Sequence, residues 1–315
     1  MLRIGIIGVG KWGLNHLRVI SKAPCRLVGI ADNDGRKKSA AEDYGIHFKR
    51  DFRELLPLVD AVIVATPAST HFEIASICLR EKKHLLVEKP LALSLLHAQE
   101  LVSLANQSNL VLSVGHLYRL NPAVIRLKNE LRSLGSLEYA RLRYLNLNPK
   151  TPDDCGVIFD YGSHLVDIAQ FLLEKDPYSV LCTTSHGLEL EKEESAFIAL
   201  DYGDFTATFE LSWLQPERKI RDAYFVGSEG TIYADFLDQA VTRCDPRGIA
   251  LRKSSDVCAD IHIDYKEPLR EELLHFIDCI ESEVKPINNS AEACRVVRLC
   301  ELALKSNQTG RKLRV

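Results

Sequence analysis

A glycine-rich turn near the start of the chain is the first motif with a chemical meaning. Gly8 to Gly13, GVGKWG, follows an apolar run and precedes an amphipathic segment, which predicts a strand joined to a helix. The first glycine allows the tight bend, the second lets a pyrophosphate approach the backbone, and the third packs helix against strand. The helix N-terminus then offers N–H groups to the phosphates. This spacing predicts a dinucleotide site that includes Gly8, Gly10, Lys11, Trp12 and Gly13.

A carboxylate at the end of the second predicted strand extends this site. Asp32 lies 19 residues after Gly13, where it would accept hydrogen bonds from the adenine ribose, with Asn33 beside it. It would also repel a 2′-phosphate, which favours NAD over NADP. The basic residues 36–38 follow closely and could bind a 2′-phosphate, so NADP stays an alternative cofactor. Ordinary turn chemistry in residues 32–35 is the alternative explanation of this carboxylate.

Two later strands end in polar residues. Thr66 and Pro67 follow the run Ala61 to Ala65, and Glu88 and Lys89 follow Leu85 to Val87. The carboxyl ends of parallel strands form the crevice where open α/β sheets bind ligands. A lysine can be an ordinary surface residue, but one that ends a buried strand between a glutamate and a proline favours a functional role.

These motifs need a parallel sheet to position them, and the first 115 residues carry its pattern. Short apolar runs alternate with amphipathic segments, as in β-α-β units. The predicted strands are Ile4–Val9, Leu27–Ala31, Ala61–Ala65, Leu85–Val87 and Leu110–Val114. The predicted helices are Lys11–Ser21, Gly35–Tyr44, Thr70–Lys82 and Ser94–Ser108.

The pattern changes after Tyr118. Helices are predicted at Pro122–Leu134, Val157–Leu173, Leu269–Glu283 and Ala291–Ser306, and alternating segments at Leu137–Leu147, Ala196–Leu211, Lys219–Val226 and Thr231–Phe236. These features predict an α/β chain: an N-terminal Rossmann doubly wound parallel sheet, followed by an α+β domain with a large, mostly antiparallel sheet. The expected domains are residues 1–118 for NAD(P) binding and 119–315 for substrate binding and oligomerisation.

Composition excludes several classes of function. Forty Lys and Arg against 43 Asp and Glu give a net charge of -3, so no basic face for nucleic acid is expected. No run approaches the roughly 18 apolar residues of a membrane span, and the start of the chain does not fit a signal peptide. Nine scattered cysteines without a C-x-x-C pair are expected to be free thiols in a reducing cytosol. No metal site is expected.

The motifs together are similar to those of a known family. The glycine turn, Asp32, Ala65-Thr66-Pro67 with His71, and Glu88-Lys89-Pro90 resemble the glucose-fructose oxidoreductase, inositol dehydrogenase and MocA (Gfo/Idh/MocA) family. The resemblance continues in GHLYRLNP at residues 115–122, DYGSH at 160–164 and GSEGT at 227–231. It implies that Thr66, Pro67, His71, Glu88 and Lys89 lie at the cofactor site.

The resemblance also implies a catalytic set of Lys89, Asp160 and His164. Asp160, His164 and Asp167 are spaced to share one face of the predicted middle helix. In such an enzyme the histidine accepts the hydroxyl proton, the lysine stabilises charge on the same oxygen, and the aspartate orients them. The alternative for each alone is structural, a core histidine and a helix N-cap.

The substrate is expected to be a sugar or cyclitol with a secondary alcohol. Residues 114–134 and 267–278 look like the nucleotide-sugar branch, UDP-N-acetylhexosamine-type 3-dehydrogenases, and Tyr118, Arg119 and Asn121 with polar groups in Tyr144 to Lys150 could bind it. Asn121 could instead only cap a helix. Residues 153–156, DDCG, depart from the glycines common in relatives, so the substrate does not carry over directly.

Other functions stay open beside the leading one. These are a non-catalytic dinucleotide-binding sensor or regulatory subunit, an inositol or free-sugar dehydrogenase, and an enzyme that keeps its cofactor bound while shuttling hydride between sugars. Retention of Lys89, Asp160 and His164 argues against the sensor, which needs none of them. A cytoplasmic homo-oligomer, dimer or tetramer, is expected because no following helix covers the outer face of the second sheet.

Overall fold

The computed structural model describes residues 1–148, 154–186, 192–245 and 258–315. The chain forms two compact units, Met1–Leu117 with Glu267–Val297 and Tyr118–Lys266 with Arg298–Val315. The first segment of the first unit ends at Leu117, one residue before the expected domain boundary at residue 118. Residues 267–297, expected in the second domain, instead belong to the first unit.

The first unit contains a six-stranded parallel sheet. Its strands are β1 Arg3–Ile7, β2 Arg26–Ala31, β3 His47–Lys49, β4 Ala61–Val64, β5 His84–Val87 and β6 Leu112–Val114. They lie in the order β3-β2-β1-β4-β5-β6, and every neighbouring pair is parallel. The strand order reverses between β1 and β4, so the crevice for a ligand lies beyond the carboxyl ends of these two strands.

The helices of this unit bury one stripe each. They are α1 Lys11–Ile20, α2 Lys38–Tyr44, α3 His71–Arg80 and α4 Leu95–Gln107, with α7 Pro268–Glu281 from the late segment. In α7, Leu269, Leu273 and Phe276 enter the same core as Ile4 and Leu17. Each such side chain contributes about 1.5–3 kcal/mol on full burial, which explains why the late segment returns to the first unit.

A buried asparagine fixes the end of β6. Ser113 Oγ donates to Asn288 Oδ1 at 2.8 Å, while Asn288 Nδ2 donates to the Val114 carbonyl at 2.7 Å and to Glu272 Oε1 at 3.1 Å. The Val114 amide donates to the Asn288 carbonyl at 3.0 Å. Asn288 therefore holds the end of β6 in place with both side chain and backbone.

The second unit contains a nine-stranded sheet. Its strands are β7 Leu137–Leu145, β8 Ser179–Ser185, β9 Ser195–Asp201, β10 Thr206–Ser212, β11 Ile220–Gly227, β12 Gly230–Asp235, β13 Ala240–Cys244, β14 Cys258–Ile261 and β15 Leu313–Arg314. The order is β14-β13-β12-β11-β7-β10-β9-β8-β15, and only β7 and β10 pair in parallel. The predicted fold class is confirmed.

Helices α5 Pro122–Leu131, α6 Ser163–Leu173 and α8 Ser290–Thr309 complete the described fold. A π-helical turn, Ile158–Gly162, leads directly into α6. Along β7 to β11, alternate residues such as Leu142, Phe209 and Phe225 are buried. Of the helices within the described ranges, none is both long and apolar enough to cross a membrane.

Several predicted elements differ from the observed ones. The segment predicted as one helix from Gly35 begins with a 3₁₀ turn, Gly35–Lys37, because Asp34 accepts the Arg36 amide and caps it. The segment Ala196–Leu211 is two strands, since Gly203, with φ of 89°, turns the chain between them. The helix predicted from Val157 starts as the π-turn. Strands β3, β8, β13, β14 and β15 were not predicted.

The expectation that all nine cysteines are free thiols is wrong for one pair. Cys244 and Cys258 form a disulfide, because antiparallel pairing of β13 with β14 places them directly opposite each other. Their spacing of 14 residues does not reveal this contact. The other seven cysteines are outside any disulfide, and burial raises the thiol pKa of Cys78 and Cys182 to about 12, which keeps both thiols protonated and unreactive.

Candidate functional site

The glycine turn has the geometry that dinucleotide binding requires. Gly8 adopts φ of 86°, and a Cβ there would lie 2.7 Å from the Ala65 carbonyl oxygen. A Cβ on Gly13 would lie 2.0 Å from the Gly8 carbonyl oxygen, whereas one on Gly10 would meet no heavy atom within 4 Å. Gly8 and Gly13 therefore serve close packing, and Gly10 leaves open space at the N-terminus of α1.

The exposed side of this turn carries the remaining predicted residues. Lys11 and Trp12 are exposed, with Trp12 at 38%. The helix begins after Gly10, and no side chain caps it. The first-turn N–H groups and the positive end of the helix dipole therefore face a space that a pyrophosphate can enter.

Asp32 is tied to the glycine turn. Its Oδ2 accepts the Val9 amide at 2.7 Å and its Oδ1 accepts the Asp34 amide at 2.9 Å. Arg36, one of the three basic residues that kept NADP open, forms a two-pronged ion pair with Asp34. The hydrogen bonds from Arg36 lower the pKa of Asp34 to about 2. The Asn33 carbonyl accepts from Arg50 at 3.1 Å, so Asn33 contacts the third strand's loop through its backbone.

The loops after β4 and β5 are joined by His71. The Nε2 atom of its ring lies 2.9 Å from the Thr66 carbonyl oxygen, and the Nδ1 atom lies 2.8 Å from the Pro90 carbonyl oxygen. Thr70 Oγ1 donates to Thr66 Oγ1 at 2.8 Å, and Pro67 precedes this turn. His71 is 1% exposed, so a ring contact to the dinucleotide would have to replace one of these two bonds.

Glu88 is the buried acid beside Lys89. Its Oε1 lies 2.7 Å from His16 Nε2, and its Oε2 accepts the Lys89 amide at 3.2 Å. Burial alone would raise the pKa of this carboxyl, but the hydrogen bond from His16 and the charges of His16, Lys89 and His71 outweigh it and hold the pKa below its ordinary value. Glu88 therefore acts on the position of the Lys89 loop and of α1.

In the second unit, the predicted substrate residues have structural partners. Arg119 binds Asp167 through Nε at 2.8 Å and through a terminal nitrogen at 2.7 Å, with side chains only 2% and 1% exposed. Asn121 caps α5 by accepting the Ala123 amide at 2.9 Å and donates to the Phe236 carbonyl at 2.9 Å. The structural alternative for Asn121 therefore describes its observed contacts.

His164 lies within a cluster of aromatic rings. The Tyr144 ring stacks on it with centroids 5.3 Å apart and planes 2° apart, and the Tyr118 ring meets it edge-on at 5.3 Å. Arg221 donates to the Tyr118 hydroxyl at 3.0 Å and lies over the Tyr144 ring. Burial raises the pKa of Tyr144 well above its ordinary value, so this phenol stays neutral.

Asp160 occupies the π-turn that precedes α6. Its Oδ2 accepts the indole N–H of Trp213 at 3.1 Å, which fixes the carboxylate from the end of β10. The expected common face of Asp160, His164 and Asp167 assumed an α-helix throughout, whereas the turn at 158–162 is π-helical. Residues 149–153, which include Lys150 and Asp153, lie outside the described residues.

The sequence prediction missed four residues around these groups: His16, Trp213, Arg221 and Tyr161, whose ring centroid lies 4.2 Å from that of Tyr144. His16 had a usable signal, because it follows Gly13 by three residues and so faces the sheet with it. Trp213 and Arg221 reach Asp160 and Tyr118 only through strand pairing, which no local spacing reports.

Comparison with known proteins agrees with this geometry. Residues 2–116 match the model of an oxidoreductase family with an NAD-binding Rossmann fold, and residues 133–233 match the GFO/IDH/MocA C-terminal domain. The chain belongs to the Gfo/Idh/MocA family. It is therefore an NAD-dependent dehydrogenase, with the cofactor bound by its first unit. The sequence prediction of family and cofactor is confirmed.

Individual relatives include enzymes for different substrates. The chain is 29% identical to scyllo-inositol 2-dehydrogenase (NAD(+)) of Bacillus subtilis, over 93% of this chain and 90% of that protein. It is 34% identical to UDP-N-acetylglucosamine 3-dehydrogenase of Acidithiobacillus ferrooxidans, over 57% of this chain and 56% of that protein. A solved structure of the latter has a TM-score of 0.87 at 23% identity, covering 98% of each chain.

An oxidoreductase from Agrobacterium radiobacter, solved with NAD+, L-tartaric acid and magnesium, has a TM-score of 0.88 at 19% identity, covering 99% of this chain and 98% of that one. At this identity the likeness concerns the fold. The fit of NAD to this chain rests on the open space at Gly10, the uncapped start of α1 and the carboxylate of Asp32.

Gly10 and Gly13 are expected to respond differently to a methyl group. Gly10→Ala keeps the fold, because a Cβ there meets nothing, but it obstructs the pyrophosphate and weakens NAD binding by roughly tenfold or more. Gly13→Ala destabilises the fold, because its Cβ overlaps the Gly8 carbonyl oxygen. Calorimetric titration with NAD and thermal unfolding measure the two effects. Unchanged NAD affinity in Gly10→Ala, or equal loss of stability in both variants, would contradict this assignment.

Proposed function

We propose that the protein oxidises a secondary alcohol of a sugar or cyclitol, with a nucleotide sugar as its substrate, and that Lys89, Asp160 and His164 are its catalytic residues. The observation that carries the proposal is the fixed placement of His164 and Asp160, the first between two tyrosine rings and the second on Trp213, in a chain with an NAD-binding domain. A non-catalytic sensor would need neither group.

The three residues have complementary roles in this reaction. NAD held by the first unit would supply the acceptor for the hydride of the alcohol carbon. His164 accepts the proton of the hydroxyl, and loss of this proton together with the hydride leaves a carbonyl. Lys89 donates a hydrogen bond to that oxygen and stabilises its developing negative charge. Asp160 offsets the positive charge that His164 gains.

NAD is proposed as the preferred cofactor over NADP. The carboxylate of Asp32 ends β2, where it would repel a 2′-phosphate. Arg36, the first of the three basic residues that could bind that phosphate, is already paired with Asp34. A cation held by its own neighbour is less available to a ligand, which supports the discrimination.

The relatives favour two substrate classes. The 34% identity to UDP-N-acetylglucosamine 3-dehydrogenase supports a nucleotide sugar. The match to scyllo-inositol 2-dehydrogenase extends over 93% of this chain and supports an inositol or free sugar as the second candidate. Arg119 and Asn121 are engaged within the fold, so Tyr118 and the polar groups near Tyr144 are the better candidates for substrate hydroxyls.

A homo-oligomer in the cytoplasm is also proposed. Leu181 and Phe197, on adjacent strands β8 and β9, are 40% and 58% exposed on the same face of the nine-stranded sheet. A second copy is the proposed occupant, because most soluble oligomers are homo-oligomers in which both subunits bury the same surface patch. The seven cysteines outside any disulfide are typical of a reducing compartment, although the Cys244–Cys258 pair departs from that pattern.

Loss of either catalytic side chain is expected to reduce turnover far more than NAD binding. Lys89→Ala and His164→Ala each lower kcat by ~10² or more, as expected for groups that act mainly on the transition state. Steady-state kinetics and NAD titration measure the two quantities. The exposed residues Lys22 and His262 provide Lys22→Ala and His262→Ala as matched controls with normal turnover. Near-normal turnover in Lys89→Ala or His164→Ala would remove that residue from the mechanism.

The substrate class is tested with NAD and a panel of UDP-N-acetylglucosamine, myo-inositol, scyllo-inositol and glucose. UDP-N-acetylglucosamine is expected to raise the melting temperature of the NAD-bound protein and to support NADH formation, because a ligand of the native state stabilises it. Oxidation of an inositol or of glucose, with no response to the nucleotide sugar, would reject the nucleotide-sugar form and retain the sugar or cyclitol dehydrogenase.

The oligomer is tested at the outer face of the nine-stranded sheet. Phe197→Glu places a charge at the centre of the proposed interface and is expected to give a folded monomer, as charged groups are disfavoured at interface cores. Tyr265 is also an exposed aromatic residue, at 72%. The variant Tyr265→Glu is therefore the control, and it is expected to retain the molar mass of the wild-type oligomer. Light scattering measures both. A monomeric wild-type protein at micromolar concentration would overturn the proposal.

A further inference from the structure

His71 makes an unusual pair of contacts for a buried histidine. It is the first residue of α3 and is 1% exposed. Its Nδ1 atom lies 2.8 Å from the Pro90 carbonyl oxygen and its Nε2 atom lies 2.9 Å from the Thr66 carbonyl oxygen. Both distances are those of good hydrogen bonds. The two carbonyls belong to the loops that follow β5 and β4.

The chemistry of the partners determines the protonation of the ring. A carbonyl oxygen only accepts hydrogen bonds, so both ring nitrogens must donate. A neutral imidazole has one N–H and one lone pair, and either tautomer would direct its lone pair at a carbonyl oxygen in a buried position. Only the doubly protonated ring satisfies both contacts, and its charge strengthens each bond.

The charged groups around His71 act in both directions, so the two carbonyl contacts carry the inference. Glu88, at the end of β5 and 6% exposed, is the buried carboxylate whose pKa is lowered in part by the charge of His71. Lys89 beside it opposes a second positive charge, and His16 on α1 is hydrogen-bonded to Glu88. On α3 itself, Glu73 favours the cation and the helix N-terminus opposes it. His97 of α4 stacks on Phe72, the next residue.

We propose that His71 is an imidazolium at neutral pH and a positioning residue that fixes the loop of Thr66 against the loop of Lys89. The inference rests on the proposed function for the role of Lys89, but the protonation state of His71 does not. Because its two nitrogens are taken by backbone carbonyls, His71 acts on the cofactor and on catalysis through these loops rather than by direct contact. The two loops hold their spacing only while both protons are present.

The protonation state is measured directly on the full-length protein with ¹⁵N-labelled histidine. Long-range proton–nitrogen correlation spectra distinguish N–H from lone-pair nitrogen, and loss of one signal in His71→Gln assigns the residue. Both His71 nitrogens are expected to be protonated at about pH 7.5, roughly one unit above the unperturbed imidazole pKa of about 6.5. A lone-pair nitrogen on His71 at that pH would overturn the proposal.

The positioning role is measured by the pH dependence of NAD binding. In the wild type, the Kd for NAD is expected to rise at the pH where His71 loses its proton, with coincident midpoints by titration and by spectra. His71→Gln is expected to remain folded, to bind NAD about tenfold more weakly and to lack this pH step. His97→Gln, on the neighbouring helix, is the control that keeps the step. A step that persists in His71→Gln would overturn the role.

Turnover separates this proposal from the proposed function. If Lys89→Ala retains normal turnover, the catalytic role of Lys89 fails, while a protonated His71 and its effect on NAD binding still stand. If Lys89→Ala is inactive but His71→Gln has wild-type kcat and wild-type NAD affinity, the dehydrogenase mechanism stands and the positioning role of His71 is rejected.

Discussion

The buried pair of His16 and Glu88 connects α1, which begins at the glycine turn, with the loop of Lys89. His16 lies on the buried face of α1, just after the glycine turn, and Glu88 begins the loop that carries Lys89. Removing one partner of such a pair leaves an uncompensated buried charge, at a cost of about 3–5 kcal/mol. Because the pKa of Glu88 lies below its ordinary value of 4.5, this stabilisation is present above that pH. It is lost as the pH falls through the folded-state pKa.

Near this pair, the three glycines of the turn differ in how tightly they are packed. Gly13 and Gly8 touch through the backbone, so α1 lies close enough to the sheet for His16 to reach Glu88. A Cβ on Gly10 would meet no heavy atom within 4 Å, which leaves the room that the proposed pyrophosphate site needs. The same glycine motif thus provides close packing at Gly8 and Gly13 and open space at Gly10, and single substitutions can separate the two effects.

The parts of the molecule that the sequence predicted well depend on local signals. The glycine turn, the carboxylate of Asp32 and the β-α-β alternation are contiguous, and the structure contains each of them. The return of residues 267–297 to the first unit, the disulfide of Cys244 with Cys258 and the pairing of Arg119 with Asp167 depend on contacts between distant segments. Strand β3 is only three residues long, too short for a periodic pattern.

The π-turn explains why residue spacing alone does not define a common helix face for Asp160 and His164. A π-helical turn closes i→i+5 hydrogen bonds and therefore contains an extra residue relative to an α-helix. Asp160 lies inside this turn and His164 lies after it, so their relative direction is not that of an α-helical i, i+4 pair. Trp213, at the end of β10, fixes the orientation of Asp160, because its indole N–H donates a hydrogen bond to one carboxylate oxygen of that residue. A carboxylate held in this way needs no reorientation when charge develops on a neighbouring group, which is the property that electrostatic stabilisation of a transition state requires.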